Sequence, residues 1–541
     1  MTAHGGRSLL LLLAGLVGCV QKARAAEPQV TLDCRQARHR ISPLIYGVGH
    51  SERTDAERAL PWELGATALR WGGNSSTRYN WELGNAWNTG SDWFFRNVDY
   101  GGVPGPAYAR FIEENRAHRL ATALTVPIIG WVAKDTSSAA FPVSRFGQQR
   151  AVDPESGTAG DGVSTDGRDL EPDSPARTSV PAPPDMIGRW IRTLRAEDQR
   201  RGARGVQMYI LDNEPMLWHE THRDVHPQPV GYDELLERTI RYGTEIRRAD
   251  PDAVIAGPAL WGWPAYFYSA IDARQGFSRR PDRKAHGDLP LLVWYLQKLA
   301  AYEKETGVRI LDVVDVHFYP QGKGIGVGAA GETDDRTAAR RIRSVRGLWD
   351  PAYRDESYIA EPVRLLPRLR EWIDSSYPGR GISIGEYNFG AERDNSGGLA
   401  LAEALGRFAE ANLISAFYWT APPRGSPAFW AFRAYRNFDG EGGRFQDVFL
   451  QAISMDRLSV FASRDEKSER LVLVAVNARE DAARLGLRLE GCGAPARASQ
   501  FSSTGGEPVR RYLPAGPPLQ ASLPARSISV LDVRLGESSG R

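Results

Sequence analysis

Eight short apolar runs recur between residues 41 and 440 of this 541-residue chain, and stretches of helical periodicity fall between them. The runs cover 41–49, 66–72, 121–131, 206–212, 253–260, 311–318, 382–387 and 414–420, and the helical pattern is clearest over 106–118, 184–200, 232–249, 289–304, 362–375 and 398–411. Strands separated by helices cannot pair through tight hairpins, so the alternation calls for a parallel sheet with helices on its outside. Eight such units closing on themselves predict a (β/α)8 TIM barrel over residues 41–444. After about residue 445 the pattern changes to short alternating runs at 459–462, 471–476, 484–489, 496–501 and 527–533, which read as a C-terminal β-sandwich domain over 445–541. The run 29–32 has no helix of its own, and within 27–40 it is expected to add an N-terminal strand to that sandwich.

Two of the barrel runs end in a glutamate. Tyr209-Ile-Leu-Asp-Asn-Glu-Pro215 delivers Glu214, and Gly381-Ile-Ser-Ile-Gly-Glu-Tyr-Asn-Phe-Gly390 delivers Glu386. An acid at the C-terminal end of a barrel strand stands on the rim where barrel enzymes do their chemistry. Two such carboxylates are the minimum equipment for breaking a glycosidic bond, one protonating the leaving oxygen and the other attacking or activating water. Asn213 precedes the first and is placed to hold a sugar 2-hydroxyl. Arg70, His317 and Tyr319, at other strand ends, are candidates to keep Glu386 ionised. Among 15 tryptophans, Trp71, Trp349 and Trp419 are the candidate sugar platforms, with Trp261 and Trp263 as more distant ones.

Lys and Arg number 68 and Asp and Glu 66, a net charge of +2, so nothing points to nucleic acid or an anionic membrane surface. Residues 1–26 read as a targeting segment: Arg7 is followed by the apolar run 9–17, too short to span a bilayer. Leu16-Val-Gly-Cys19 fits a bacterial lipobox that would leave a lipidated Cys19, and Ala23-Arg-Ala25 fits an ordinary cleavage site. The protein is therefore expected outside the cytoplasm, secreted or lipid-anchored at the cell surface, with no other membrane contact. The remaining cysteines, Cys34 and Cys492, either form a disulfide between the two ends of the chain or stay as separate thiols.

The segments Arg70-Trp-Gly-Gly-Asn74, Arg78-Tyr-Asn-Trp81, Leu211-Asp-Asn-Glu-Pro215, Thr221-His-Arg-Asp-Val-His-Pro227, Asp315-Val-His-Phe-Tyr-Pro-Gln321, Leu348-Trp-Asp-Pro351, Gly385-Glu-Tyr-Asn-Phe-Gly390 and Ala431-Phe-Arg-Ala-Tyr-Arg-Asn-Phe-Asp-Gly440 resemble glycoside hydrolase family 44. The resemblance implies a retaining, endo-acting β-1,4-glucanase active on xyloglucan or cellulose-type glucans, with Glu214 as acid/base and Glu386 as nucleophile. It implies a polysaccharide as partner, and no cofactor is required. A monomer is expected.

Other readings stay open at this level. An exo-acting glycosidase such as an arabinofuranosidase, or a non-catalytic glycan-binding protein on the same fold, would share the Asn-Glu motif and the sandwich. His222, Asp224 and His226 alternate like metal ligands, but no metal site is assigned to them. The acidic loop with Asp153, Asp161, Asp166 and Asp169 is a candidate for a structural calcium.

Overall fold

The computed structural model describes residues 29–50, 55–100, 105–326, 331–452, 454–455, 457–467, 469–514 and 516–536. The targeting segment 1–26, with Cys19, lies outside the described residues. Eight parallel strands close into a barrel: β1 (Gly47–Gly49), β2 (Ala68–Trp71), β3 (Ala121–Val126), β4 (Met208–Leu211), β5 (Ile255–Leu260), β6 (Val313–Phe318), β7 (Gly381–Tyr387) and β8 (Ser415–Tyr418). Each pairs with its neighbours in chain order, and β8 returns to β1. The first strand is shorter than its apolar run because Pro43 opens a 3-10 turn over Pro43–Tyr46, and the third stops at Val126 before Pro127.

Side chains alternate in and out along these strands. Ala68, Ala123, Met208, Ile210, Ala256, Val313 and Phe417 fill the lower barrel, and a much larger apolar cluster lies between strands and helices. The helix Asn395–Glu410 is buried on nearly every side because it is wedged between barrel and sandwich. At its centre Gly406 lets the Phe461 ring approach so closely that a Cβ there would sit 2.2 Å from it.

The two long rim connections are not bare loops. At the two ends of 132–183 a short antiparallel pair, Trp131–Ala133 with Ser179–Pro181, braces the wall. Within 319–360 a helix, Asp335–Ser344, buries Arg341, whose guanidinium donates to the Phe389, Gly324 and Glu332 carbonyls and to Ser396 Oγ. The Asp153, Asp161 and Asp166 carboxylates pair with Arg96, Arg150 and Arg168.

The N-terminal segment enters both sheets of the sandwich. Gln29–Asp33 pairs parallel with Ala483–Glu490, whose other edge pairs with Leu519–Leu523. Ala37–Arg40 crosses to the opposite sheet and pairs with Val448–Leu450. Val30 and Leu32 from the first sheet meet Leu473, Leu531 and Val533 from the second in one apolar cluster. A disulfide joins Cys34 to Cys492 beside this pairing.

Closing a loop of that length restricts the unfolded chain, so Cys492→Ser is expected to lower stability by about 2–4 kcal/mol, seen as a lower denaturation midpoint. Thiol titration of the unfolded, unreduced protein should find neither Cys34 nor Cys492 free.

Candidate active site

The carboxylates of Glu214 and Glu386 meet at the C-terminal mouth of the barrel, with His317 between them. One oxygen from each glutamate and one ring nitrogen of His317 all lie within 4.8 Å of one another. His317 Nδ1 is 2.8 Å from Glu214 Oε1 and 3.6 Å from Glu386 Oε2.

Glu214 follows β4 by three residues and takes a left-handed backbone conformation, φ 46°, which is unusual for a side-chain-bearing residue and is held from several directions. Its N–H donates to the Ala259 carbonyl at 3.1 Å. The buried Asp212 carboxylate accepts from the Ile128, Ile129 and Asn213 amides and from the Thr77 hydroxyl, pinning the turn to β3 and β2. Burial raises Asp212 to about 6 in spite of those bonds.

Glu386, near the end of β7, is buried and richly partnered. Arg70 Nη1 donates to its Oε1 at 2.5 Å and the Tyr319 hydroxyl to its Oε2 at 2.7 Å. Arg70 is itself fully buried, and its other terminal nitrogen donates to Asn213 Oδ1 at 2.8 Å. The relay continues: Asn213 Nδ2 donates to Asn74 Oδ1 at 3.0 Å, and Asn74 Nδ2 donates to both oxygens of Asp92 at 3.1 Å. The amide of Asn213 is thereby fixed in one orientation.

These neighbours separate the two acids. Burial raises Glu214, and the His317 hydrogen bond only partly offsets it. Burial acts on Glu386 in the same sense, but His317, Arg70 and the Tyr319 hydroxyl outweigh it and hold the carboxyl below its ordinary value. Burial would lower His317, yet the two carboxylates outweigh it and hold the ring above its ordinary value. Tyr319, buried beside Glu386, is pushed well up and stays a hydrogen-bond donor.

The cleft of ≈ 510 Å³ around this pair is lined by Asn74, Asp92, Trp261, Tyr319, Gln321 and Trp419. Trp419 follows β8 and lies across the ends of β1 and β2. Gly73, at φ 82°, makes room for it, since a Cβ there would sit 2.7 Å from the indole. Gly72 does the same for the Arg70 guanidinium, at 2.5 Å. The two glycines of Arg70-Trp-Gly-Gly-Asn74 are thus explained by the close approach of two site residues.

Two expected sugar platforms stand elsewhere. Trp71 follows the inward Arg70 on β2 and must face outward. It is buried in an aromatic cluster with His50, Tyr79, Trp87 and Phe111. Trp349 lies at the barrel–sandwich junction, its ring 4.0 Å from the Arg407 guanidinium, which in turn bonds Glu403 and Ser459. Trp263 packs on Phe267 and under Arg368. The alternating His222, Asp224 and His226 diverge: Asp224 takes both terminal nitrogens of the buried Arg78, and His226 bonds Glu234.

Asn74 and Asp92 were not singled out from sequence, nor was Asp315. The last is fully buried on the inward face of β6, two residues before His317, and its carboxylate fills the space that a side chain at Gly385 would need.

A closed parallel barrel that brings one glutamate from its fourth strand and another from its seventh to a shared cleft has the architecture of the barrel glycoside hydrolases. The family model for glycoside hydrolase family 44 matches residues 86–322. Endoglucanase A of Paenibacillus lautus is 31% identical over 485 residues, 85% of this chain and 65% of that protein, so the chain spans a little under two thirds of that curated relative. Among solved structures, CelM2, a bifunctional glucanase-xylanase from a metagenome library, is 34% identical with a TM-score of 0.86, covering 94% of this chain and 99% of the other. A xyloglucanase of Paenibacillus polymyxa from the same family, solved with xyloglucan, is 27% identical with a TM-score of 0.77 over 94% and 99% of the two chains. The chain belongs to glycoside hydrolase family 44.

A methyl added at Gly385 would lie 2.5 Å from Asp315 Oδ2, directly beneath Glu386. Gly385→Ala is expected to cost about 1–3 kcal/mol, measured by chemical denaturation. In an Asp315→Ala background the same change should cost clearly less, because the clash is gone.

Proposed function

We propose that this protein is a retaining, endo-acting glycoside hydrolase that cleaves β-1,4-glucan backbones such as xyloglucan. The observation that carries this reading is the spacing and unequal environment of the two glutamates. An inverting pair keeps its carboxyls roughly 6.5–9.5 Å apart to admit a water, and a retaining pair stands at roughly 5–5.5 Å. Carboxylate oxygens within 4.8 Å of each other favour the second arrangement.

In this reading Glu386, kept ionised by Arg70 and Tyr319, attacks the anomeric carbon. Glu214, kept protonated by burial, gives its proton to the departing oxygen. The covalent glycosyl-enzyme is then opened by water that Glu214 deprotonates, and the configuration at the anomeric carbon is restored. Asn213, held by Arg70 and Asn74, faces the sugar 2-hydroxyl, and Trp419 supplies a platform for a sugar ring. Two carboxylates suffice for this chemistry, and no cofactor enters it.

The substrate class rests on the relatives, described as an endoglucanase, a glucanase-xylanase and a xyloglucanase. Action outside the cytoplasm, after export by the segment 1–26, fits the Cys34–Cys492 disulfide, which needs an oxidising compartment. Among the described residues no helix is long and apolar enough to cross a membrane.

Activity requires Glu386 ionised and Glu214 protonated. kcat/KM should therefore rise as pH climbs through the lowered pKa of Glu386 and fall as pH passes the raised pKa of Glu214, a bell measured on soluble xyloglucan.

Azide separates the two roles. Glu386→Ala should lose turnover on every substrate and regain it with azide as an inverted glycosyl azide. Glu214→Ala should keep glycosylation by aryl glycosides with good leaving groups, and azide should give a retained product. Product stereochemistry by NMR with the two outcomes exchanged would reverse the assignment, and activity retained by both variants would overturn it.

A further inference from the structure

A second cavity, also ≈ 510 Å³, adjoins the cleft on the side of the Glu214 turn. Trp261 and Leu217 line both spaces, so the half-buried indole is a shared wall. Leu217 is anchored to the turn itself, its N–H donating to the Glu214 carbonyl at 2.8 Å. Beyond Trp261 the wall is carried on by Tyr268 and Phe277, whose ring centroids are 5.0 Å apart. Phe277 is 41% exposed, a large ring left open to solvent at the edge of the cavity.

The chemistry of the lining suits a neutral polyol. Aromatic faces cover the C–H face of a sugar ring, and polar groups at the mouth fix its hydroxyls. Asp169, Glu171 and Glu220 stand there with Arg223 and Arg274, so groups of both charges line the mouth, and burial holds His219 below its ordinary value. Arg223 is already engaged by the Leu170 and Gly162 carbonyls, so it leaves no free cationic cluster to select an anion.

We infer that this cavity binds a saccharide unit of the same polysaccharide, remote from the bond being cut, and that the chain or one of its branches passes over Trp261 to reach it. The inference rests on the glucan-hydrolase reading above. It places substrate discrimination on the loop after β5, which carries Trp261, Tyr268 and Phe277, rather than on the carboxylate pair.

The test is binding in a Glu386→Gln background, where turnover does not intervene. Calorimetric Kd values are measured for a linear cello-hexasaccharide and for a xylosyl-branched glucan oligosaccharide, with and without Phe277→Ala and Tyr268→Ala. Loss of roughly five- to tenfold in affinity per ring is expected for at least one ligand. Weakening of both ligands assigns the cavity to the main chain, and weakening of the branched one alone assigns it to a branch. Unchanged Kd values for both ligands in both variants overturn the inference. Phe277 is exposed enough that its removal leaves the fold intact, and near-UV circular dichroism checks Tyr268→Ala. Reducing-sugar release by the unsubstituted enzyme is scored separately, so failure of the hydrolase reading appears there and not in the Kd.

Discussion

The buried ion pair between Arg70 and Glu386 sets the terms for the rest of the site. Taking a guanidinium and a carboxylate out of water is costly, and hydrogen bonds made inside offset part of that cost. Glu386 has Arg70, Tyr319 and the edge of His317, and Arg70 has Glu386 and Asn213. The partners come from β2, β6 and β7 and from the turn after β4, so closure of the barrel is what assembles them. Two glycines answer to similar close approaches: Gly72 admits the Arg70 guanidinium, and Gly385 admits the Asp315 carboxylate buried on the inward face of β6. Asn213 and Asn74 extend the network to the cleft surface, where Asp92 ends it in contact with solvent.

Chemically similar residues acquire opposite characters from this arrangement. Glu214 takes the close contact with His317, and only Glu386 touches the arginine and the tyrosine. Burial therefore dominates at one carboxyl and cationic neighbours dominate at the other. The imidazole lies within reach of both, its Nδ1 2.8 Å from Glu214 Oε1 and 3.6 Å from Glu386 Oε2. Such a division of labour depends on a few ångströms of positioning, which is why the strained backbone at Glu214 is tied down by Asp212 from β2, β3 and its own turn.

Much of this was legible in the chain because barrels write themselves as a period. Apolar runs and intervening helices gave the strand count, and the glutamates were visible as polar residues closing apolar strands. The direction of side chains was also available but was not used: Arg70 facing in requires Trp71 to face out, and Asp315 shares the inward face of β6 with His317. Trp349 was read as a sugar platform, because nothing local says that a loop tryptophan will cover Arg407 at a domain junction. Asn74 and Asp92 lie in short 3-10 turns, Asn74–Arg78 and Gly90–Trp93, too brief to show a period. In the sandwich the strands Ala37–Arg40, Val448–Leu450, Val509–Leu513 and Leu519–Leu523 escaped notice, being short, at sheet edges or strongly polar.

The weaving of the first residues into both sheets of the sandwich governs how the molecule is made. Val30 pairs with Leu487 and His39 with Phe449, so the two strands within residues 29–40 wait for partners more than four hundred residues away. During synthesis or export the barrel sequence emerges whole before either sheet can be completed, and the disulfide can close only after that. No single cut in the gene separates the two domains. A barrel excised after residue 444 keeps two strands with nothing to pair against, and a sandwich begun at 445 lacks part of each sheet.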